Sequence, residues 1–375
     1  MQGTLLAGHD ARSFLRRHWQ KHPLLARRAL PQYENMMTRE ELFALSMRDD
    51  IPSRLVVRHG RRWEVAHGPF SRRTLAQLPG RGWTLLVQGV NQVLPRAQAL
   101  LLEFAFIPYA RLDDVMVSYA PPGGGVGPHF DSYDVFLLQI AGARRWRVSR
   151  QRDLELVAGA PLKLLRRFRA GHAWTLAPGD MLYLPPHVAH DGIAVGECLT
   201  ASIGFRAPAA QELAARFLEY LQERLALHAQ YRDPGLRPAV HPAQIGEDML
   251  RQAARMLEGI EWKAQDVVDS LGQYLTEPKA HIIFERPVRP LSEAAFARRA
   301  ARAGIALDLR SQMLFRGRLF FINGERHDAA GAPARLLRRL ADRKSLAPPL
   351  ELDAAATRLL YPWYRAGYIL LGDKA

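Results

Sequence analysis

A single cysteine, Cys198, stands in 375 residues, so the chain offers it no partner. An intramolecular disulfide is thereby excluded, and a reducing compartment, the cytoplasm, is the expected setting. Its neighbours Leu199, Ala201 and Ile203 point to a buried strand thiol, not a nucleophile. Also missing is any apolar run near the ~20 residues that a bilayer-crossing helix needs, and residues 1–30 lack a secretory core; a soluble protein without membrane contact is expected. Internal repeats and low-complexity tracts are absent, which argues against a repeat architecture. Acidic charge is in deficit: 37 Asp and Glu face 52 Lys and Arg, a net +15. Such a surface favours anionic partners, nucleic acid or a ribonucleoprotein.

With 48% hydrophobic residues, the chain can bury a large core and divide into two or three domains. Its chemistry gathers at Gly123–Asp131, GGGVGPHFD. On an extended segment, residues two apart share a face, so His129 and Asp131 can reach one point while Phe130 faces away. A further histidine would complete the two-histidine, one-carboxylate set of non-haem iron(II) oxygenases, which leaves positions open for a co-substrate and dioxygen. Alone, His-x-Asp is more often a loop histidine beside a turn aspartate. Here a strand-like run, Asp113–Tyr119, leads into it and Pro121-Pro122-Gly123 breaks that run. Further on, Tyr183-Leu184-Pro185-Pro186-His187-Val188-Ala189-His190 offers a third ligand, either His190 or His187.

One charge stands in an unexpected place. In Arg144-Arg145-Trp146-Arg147-Val148 the even positions share a face, so if Trp146 and Val148 point inward, Arg144 does too. A buried, unpaired guanidinium is very unfavourable. An anion must meet it, either a protein carboxylate in a salt bridge or the carboxylate of a bound co-substrate held bidentately. A metal triad nearby favours the second.

From Arg12 to Arg206 the chain resembles the JmjC/cupin 2-oxoglutarate oxygenases, specifically the bacterial ribosomal oxygenase type. The blocks that carry the resemblance are HWQKHP (from His18), RRWEVAHGPF (from Arg61), WTLLVQGVN (from Trp83), PPGGGVGPHFDSYDVFLLQ (from Pro121), RRWRV, PGDMLYLPP and SIGFRAP. This resemblance implies iron(II) held by His129, Asp131 and His190, with His187 a loop residue. It implies that Arg144 and Ser118 bind 2-oxoglutarate, and that Asp114 and Tyr133 contact a substrate arginine. It further implies a dioxygen-consuming hydroxylase of an arginyl residue in a large-subunit ribosomal protein, releasing succinate and CO2. Competing readings are a histidyl hydroxylase or N-methyl-lysine demethylase on the same fold, or a basic winged-helix nucleic-acid-binding protein. A hydrolytic zinc site would want a general base and would leave Arg144 unexplained.

Short strands with Gly/Pro turns alternate from Leu85 to Phe205, with strong runs at 115–119, 134–140, 144–148, 181–184 and 198–205, as in a sandwich or barrel. The resemblance specifies a double-stranded β-helix, within an α+β chain. Residues 1–207 would form this catalytic domain. After Pro208, stripes of Leu213, Phe217, Leu221 and Leu225, and of Leu250, Ala253, Leu257 and Ile260, predict amphipathic helices. Family members dimerise through helices in this place, so residues 208–286 are expected to form a homodimer interface. Beyond Pro287–Pro290 come a helix at 293–303, a hairpin at 313–322, helices from Pro333 and Asp353, and a strand at 368–371. That order suggests a winged-helix module over residues 287–375. Its arginines Arg335, Arg338, Arg339 and Arg343 do not alternate with aromatic or amide base readers, so direct nucleic-acid binding is not expected.

Overall fold

The structure, a computed structural model, describes residues 5–60 and 62–372; Arg61, which opens one of the resembling blocks, lies outside the described residues. Two compact units are present. The first takes the described part of residues 1–207, 278–311 and 342–375, and the second takes 208–277 and 312–341.

In the first unit, β1 (Leu24–Ala26), β2 (Ser53–His59), β3 (Arg62–His67), β4 (Trp83–Val87), β5 (Leu112–Ala120) and β6 (Val135–Ala141) are followed by β7 (Arg144–Ser149), β8 (His172–Leu176), β9 (Met181–Leu184), β10 (Ala189–Ala194) and β11 (Cys198–Phe205). Eight of them form one sheet, in the order β1-β9-β6-β11-β5-β4-β2-β3, and β10-β7-β8 form a smaller one. The strong runs of the sequence are β5, β6, β7, β9 and β11. Strand β6 shows why the sheets pack as they do. Its residues Phe136, Leu138 and Ile140 join a core with Phe14, Leu42 and Leu100, from the helices Ala11–Arg17, Arg39–Ser46 and Pro95–Leu102, and with Phe104 just beyond the last. The alternate residues Val135 and Leu137 meet Trp146, Val148, Leu176, Leu182 and Leu184 between the sheets. Covered on both faces, the strand reads as one apolar run and not as an alternation. Cys198 lies buried on β11.

Between β3 and β4 a short helix forms at Arg72–Ala76. The Ser71 hydroxyl accepts from the Thr74 N–H at 3.0 Å, and this cap favours helix over strand. The first unit also holds helices Glu293–Ala303 and Ala354–Ala366 and a small sheet containing Ile305–Leu307 and Ile369–Leu371.

The second unit holds helices Ala210–Gln222, Glu247–Leu257 and Ala264–Thr276 and the hairpin Met313–Arg316/Leu319–Ile322. A third strand, Glu325–Asp328, pairs with the hairpin; its Glu-Arg-His-Asp sequence has no apolar alternation to announce it. The Gly272 Cα lies so close to Phe321 that a Cβ there would sit 2.5 Å from the ring, which explains a glycine inside the helix Ala264–Thr276. Along Ala210–Gln222, Leu221 is buried and Leu213 and Phe217 partly so, whereas on Glu247–Leu257 the apolar stripe faces outward: Leu250 is 51% and Leu257 61% exposed. Among the described residues no helix is long and apolar enough to cross a membrane.

Candidate active site

The segment Gly123–His129 runs beside β10 as an incomplete fourth strand of the smaller sheet. The Gly123 N–H donates to Ala194 O and the Ala194 N–H to Gly124 O, both at 2.9 Å. Farther along, His129 N–H donates to His190 O at 2.9 Å and His190 N–H to His129 O at 2.8 Å. Gly125 permits this approach, since a Cβ there would sit 2.5 Å from the Gly192 carbonyl oxygen. Gly127, at φ +80°, turns the chain into the histidine.

The pairing brings His129, Asp131 and His190 together, with one ligand atom from each within 4.8 Å of the others. The His190 Nε2 lies 3.7 Å from Asp131 Oδ2, and the two imidazole centroids are 4.2 Å apart. Each imidazole is oriented through its other nitrogen: His129 Nδ1 lies 2.8 Å from Gly127 O and His190 Nδ1 2.9 Å from Val188 O. A proton on Nδ1 donates to the carbonyl and leaves the Nε2 lone pair free for a metal. Burial, then the neighbouring His129, pulls the His190 pKa down to about 4 against the opposing pull of Asp131, so its ring is neutral at physiological pH. His187 stays outside the cluster. It is solvent-exposed with φ +62°, and its N–H donates to Asp131 O at 2.8 Å. Its contribution is a main-chain bond that steadies the carboxylate's residue.

Strand register sets the rest of the interior. Across the smaller sheet Val148 faces His190, Trp146 faces Gly192 and Arg144 faces Ala194, so all six share the inner face. Arg144 is 5% exposed. Its Nη1 donates to Ser118 Oγ at 3.3 Å, while Nε and Nη2 are buried without a hydrogen-bond partner. Among the described residues no carboxylate pairs with it, which removes the salt-bridge reading. Two convergent, unpaired N–H groups beside a hydroxyl fit the carboxylate of a small ligand. Opposite, Ser118, Thr200 and Gln139 lie side by side across β5, β11 and β6. Thr200 and Gln139 went unnoticed in the sequence, although a polar residue inside a run such as Val-Phe-Leu-Leu-Gln-Ile is a signal for an inward polar position.

Asp114 and Met116 precede Ser118 on the same face of β5 by alternation. The Asp114 carboxylate accepts from the Gly89 N–H at 2.9 Å. Burial, then the adjacent Asp113, pushes its pKa up; Lys279 at 3.0 Å and Arg206 at 3.7 Å pair with Asp113 instead. Tyr133 is 41% exposed. Desolvation first, then the charges of Asp131 and Asp114, raise its hydroxyl pKa. Its chain neighbour Asp134 is fully buried. It accepts from Tyr183 Oη at 2.6 Å and Gln20 Nε2 at 3.0 Å, with Arg111 Nη2 at 3.4 Å, and so anchors the start of β6.

A double-stranded β-helix bearing this His-x-Asp…His cluster defines a protein of the JmjC class. Residues 99–213 match the family model described as the JmjC domain, and residues 259–369 match that of the ROXA-like winged helix. The chain is 34% identical over 324 residues to the ribosomal protein uL16 3-hydroxylase of Escherichia coli K12, covering 86% of each chain. It is 40% identical over 200 residues to a probable ribosomal oxygenase of Haemophilus influenzae, 52% of this chain and 49% of that one. An E. coli ribosomal oxygenase solved with cobalt and 2-oxoglutarate superimposes with a TM-score of 0.81 at 31% identity, over 96% of this chain and 98% of that one. The chain belongs to the JmjC ribosomal oxygenase family.

Proposed function

We propose that the protein is an iron(II)- and 2-oxoglutarate-dependent hydroxylase of an arginyl residue in the large-subunit ribosomal protein uL16. The observation that carries this reading is the buried Arg144, whose two unpaired nitrogens share a face with His190. The names and ligands of the relatives agree with it.

In this reading His129, Asp131 and His190 hold the metal, and the three protein donors leave positions for co-substrate and dioxygen. With 2-oxoglutarate bound, iron(II) and dioxygen supply an oxidant that inserts oxygen into an unactivated C–H bond while the co-substrate leaves as succinate and CO2. The chain's own residues bind and aim. Arg144 and Ser118 grip the distal carboxylate. Asp114 accepts hydrogen bonds from the substrate guanidinium beside the Tyr133 ring, fixing which methylene faces the metal. Val135, Leu137, Val148 and Leu184 form a dry cluster between the sheets, and Val148 pairs with His190.

The exposed stripe at Leu250 and Leu257 supports a homodimer formed through the helical region 208–286. We place the protein in the cytoplasm, where its ribosomal substrate is made, with the basic surface drawing it to ribosomal material and the winged helix serving protein contacts, not nucleic acid. The test is incubation with Fe(II), ascorbate, 2-oxoglutarate and uL16, followed by peptide mapping. One added oxygen on a single arginine, absent after Arg→Lys substitution of that residue, is the expected result. Oxygen on a histidine, or loss of a methyl group from a methylated lysine peptide, would keep the iron chemistry and overturn the substrate.

A further inference from the structure

Trp146 carries a second unsatisfied donor on the face that holds Arg144. The residue is 5% exposed, and its indole Nε1 is buried without a hydrogen-bond partner. Buried indole N–H groups normally find an acceptor, and leaving one unpaired costs about 1–3 kcal/mol. The ring itself is held firmly. Its six-membered ring occupies the space above Gly192, where a Cβ would lie 2.6 Å from Cζ3 and 2.7 Å from Cη2. Packing therefore explains the ring and leaves the nitrogen unexplained, because a phenyl group would fill the same space without burying a donor.

Position suggests the acceptor. The His190 imidazole centroid lies 5.9 Å from the Trp146 ring on one side, and the Arg144 Cζ lies 5.7 Å from it on the other. By register, Trp146 stands between Arg144 and Val148, the residue paired with His190, so the indole lies between the guanidinium and the histidine on the inner face. Of the buried side-chain atoms that lack a partner among the described residues, three belong to this pair: Arg144 Nε and Nη2, and Trp146 Nε1.

We propose that Trp146 is a positioning residue whose indole N–H donates a hydrogen bond to an oxygen of the bound 2-oxoglutarate. This assignment rests on the reading of Arg144 as the carboxylate anchor. Three groups then hold the co-substrate: the metal, the Arg144 fork and the indole between them. Together they would set its rotation about the long axis, which a terminal anchor leaves free.

The experiment uses the full-length protein loaded with Zn(II), which is diamagnetic, and 2-oxoglutarate as the probe. The indole N–H resonance of Trp146 is assigned by its loss in Trp146→Phe. In the wild-type protein this signal should move downfield on addition of 2-oxoglutarate, as a new bond to a carboxylate forms; a merely structural ring would not respond so. Calorimetry should show Trp146→Phe binding 2-oxoglutarate about tenfold more weakly with Zn(II) affinity unchanged, the size expected for a bond to a charged acceptor. Arg144→Met separates the two readings. If Arg144→Met loses 2-oxoglutarate binding while the indole signal stays still and Trp146→Phe binds normally, the indole proposal fails alone. If Arg144→Met binds 2-oxoglutarate like the wild type, the anchor reading fails, and this proposal with it. If Trp146→Phe loses Zn(II) or melts early, the wild-type indole signal decides, assigned then from its through-space contacts with the Gly192 and His190 protons that lie beside the ring.

Discussion

His129 and His190 are joined through the main chain, each donating its N–H to the other's carbonyl, at 2.9 and 2.8 Å. Although 61 positions apart, the two imidazoles are thus placed by sheet register, the most rigid device available to a β fold. One divalent metal per chain should bind here. Asp131→Ala and His190→Ala should each weaken it by more than the ~100-fold seen when only an outer partner of a ligand is removed. His187→Ala should keep most of the affinity, because only its main chain touches the cluster. Anaerobic Fe(II) titration checks both; equal losses at His187 and His190 would sink the assignment.

Arg144 predicts an inverse relation between stability and ligand binding. Its buried, unpaired nitrogens oppose folding when no ligand is bound, so Arg144→Met should melt higher than the wild type, by about 1–4 kcal/mol, as when buried charges are replaced by apolar groups. Adding 2-oxoglutarate with metal should raise the wild-type melting temperature and leave that of Arg144→Met unmoved. A ligand-free Arg144→Met protein that melts well below the wild type would contradict this.

For Asp114 the sign follows from its raised pKa. Between the unfolded and folded pKa values the native state binds more protons than the unfolded state, so stability falls as pH rises through that window. Asp114→Asn removes the penalty while its amide oxygen can still accept from the Gly89 N–H. Its melting temperature should exceed the wild type's at neutral pH, with the gap closing in acid. Peptide turnover should fall in the opposite sense, by about thirtyfold or more for Asp114→Ala, since a half-buried partner of a charged group is lost. Uncoupled 2-oxoglutarate decay should change less. Equal loss of both activities would place Asp114 outside the substrate pocket.

Asp134 tests the support beneath Tyr133. It is fully buried and holds Tyr183, Gln20 and Arg111 at once. Asp134→Ala leaves those donors without an acceptor and should cost about 3–5 kcal/mol in urea unfolding. A loss under about 1 kcal/mol would show that the network is replaced by water.

The exposed apolar stripe makes a prediction about assembly. Leu250→Glu combined with Leu257→Glu should shift the chain to its monomer mass of 42.3 kDa in light scattering, from twice that value. Both residues are already exposed, so the fold should survive. A wild-type protein that is itself monomeric at micromolar concentration would end the dimer reading.

Much of the site was legible from residue spacing. His129 and Asp131 share a face because side chains alternate along any extended segment, and the same parity puts Arg144 with Trp146 and Val148. Period-two alternation is local, so it survives without knowledge of the partner strand. The strands β5, β6, β7, β9 and β11 were marked by apolar runs between Gly and Pro breaks for the same reason. The short helix at Arg72–Ala76 and the strand Glu325–Asp328 were not, because a cap and a neighbouring hairpin decided them against their own pattern.

Residue spacing by itself left His187 and His190 as rivals. Both follow Pro185-Pro186, and only the left-handed turn at His187 and the pairing of His190 with His129 send one outward and the other into the cluster. The missing salt bridge at Arg144, the unpaired indole of Trp146 and the Asp134 network are likewise facts about residues far apart in the chain. Local sequence determined which way each side chain points from its own strand. Tertiary structure alone decided what it meets there, because hydrogen-bond partners and burial are set by the register between strands, which no single strand contains.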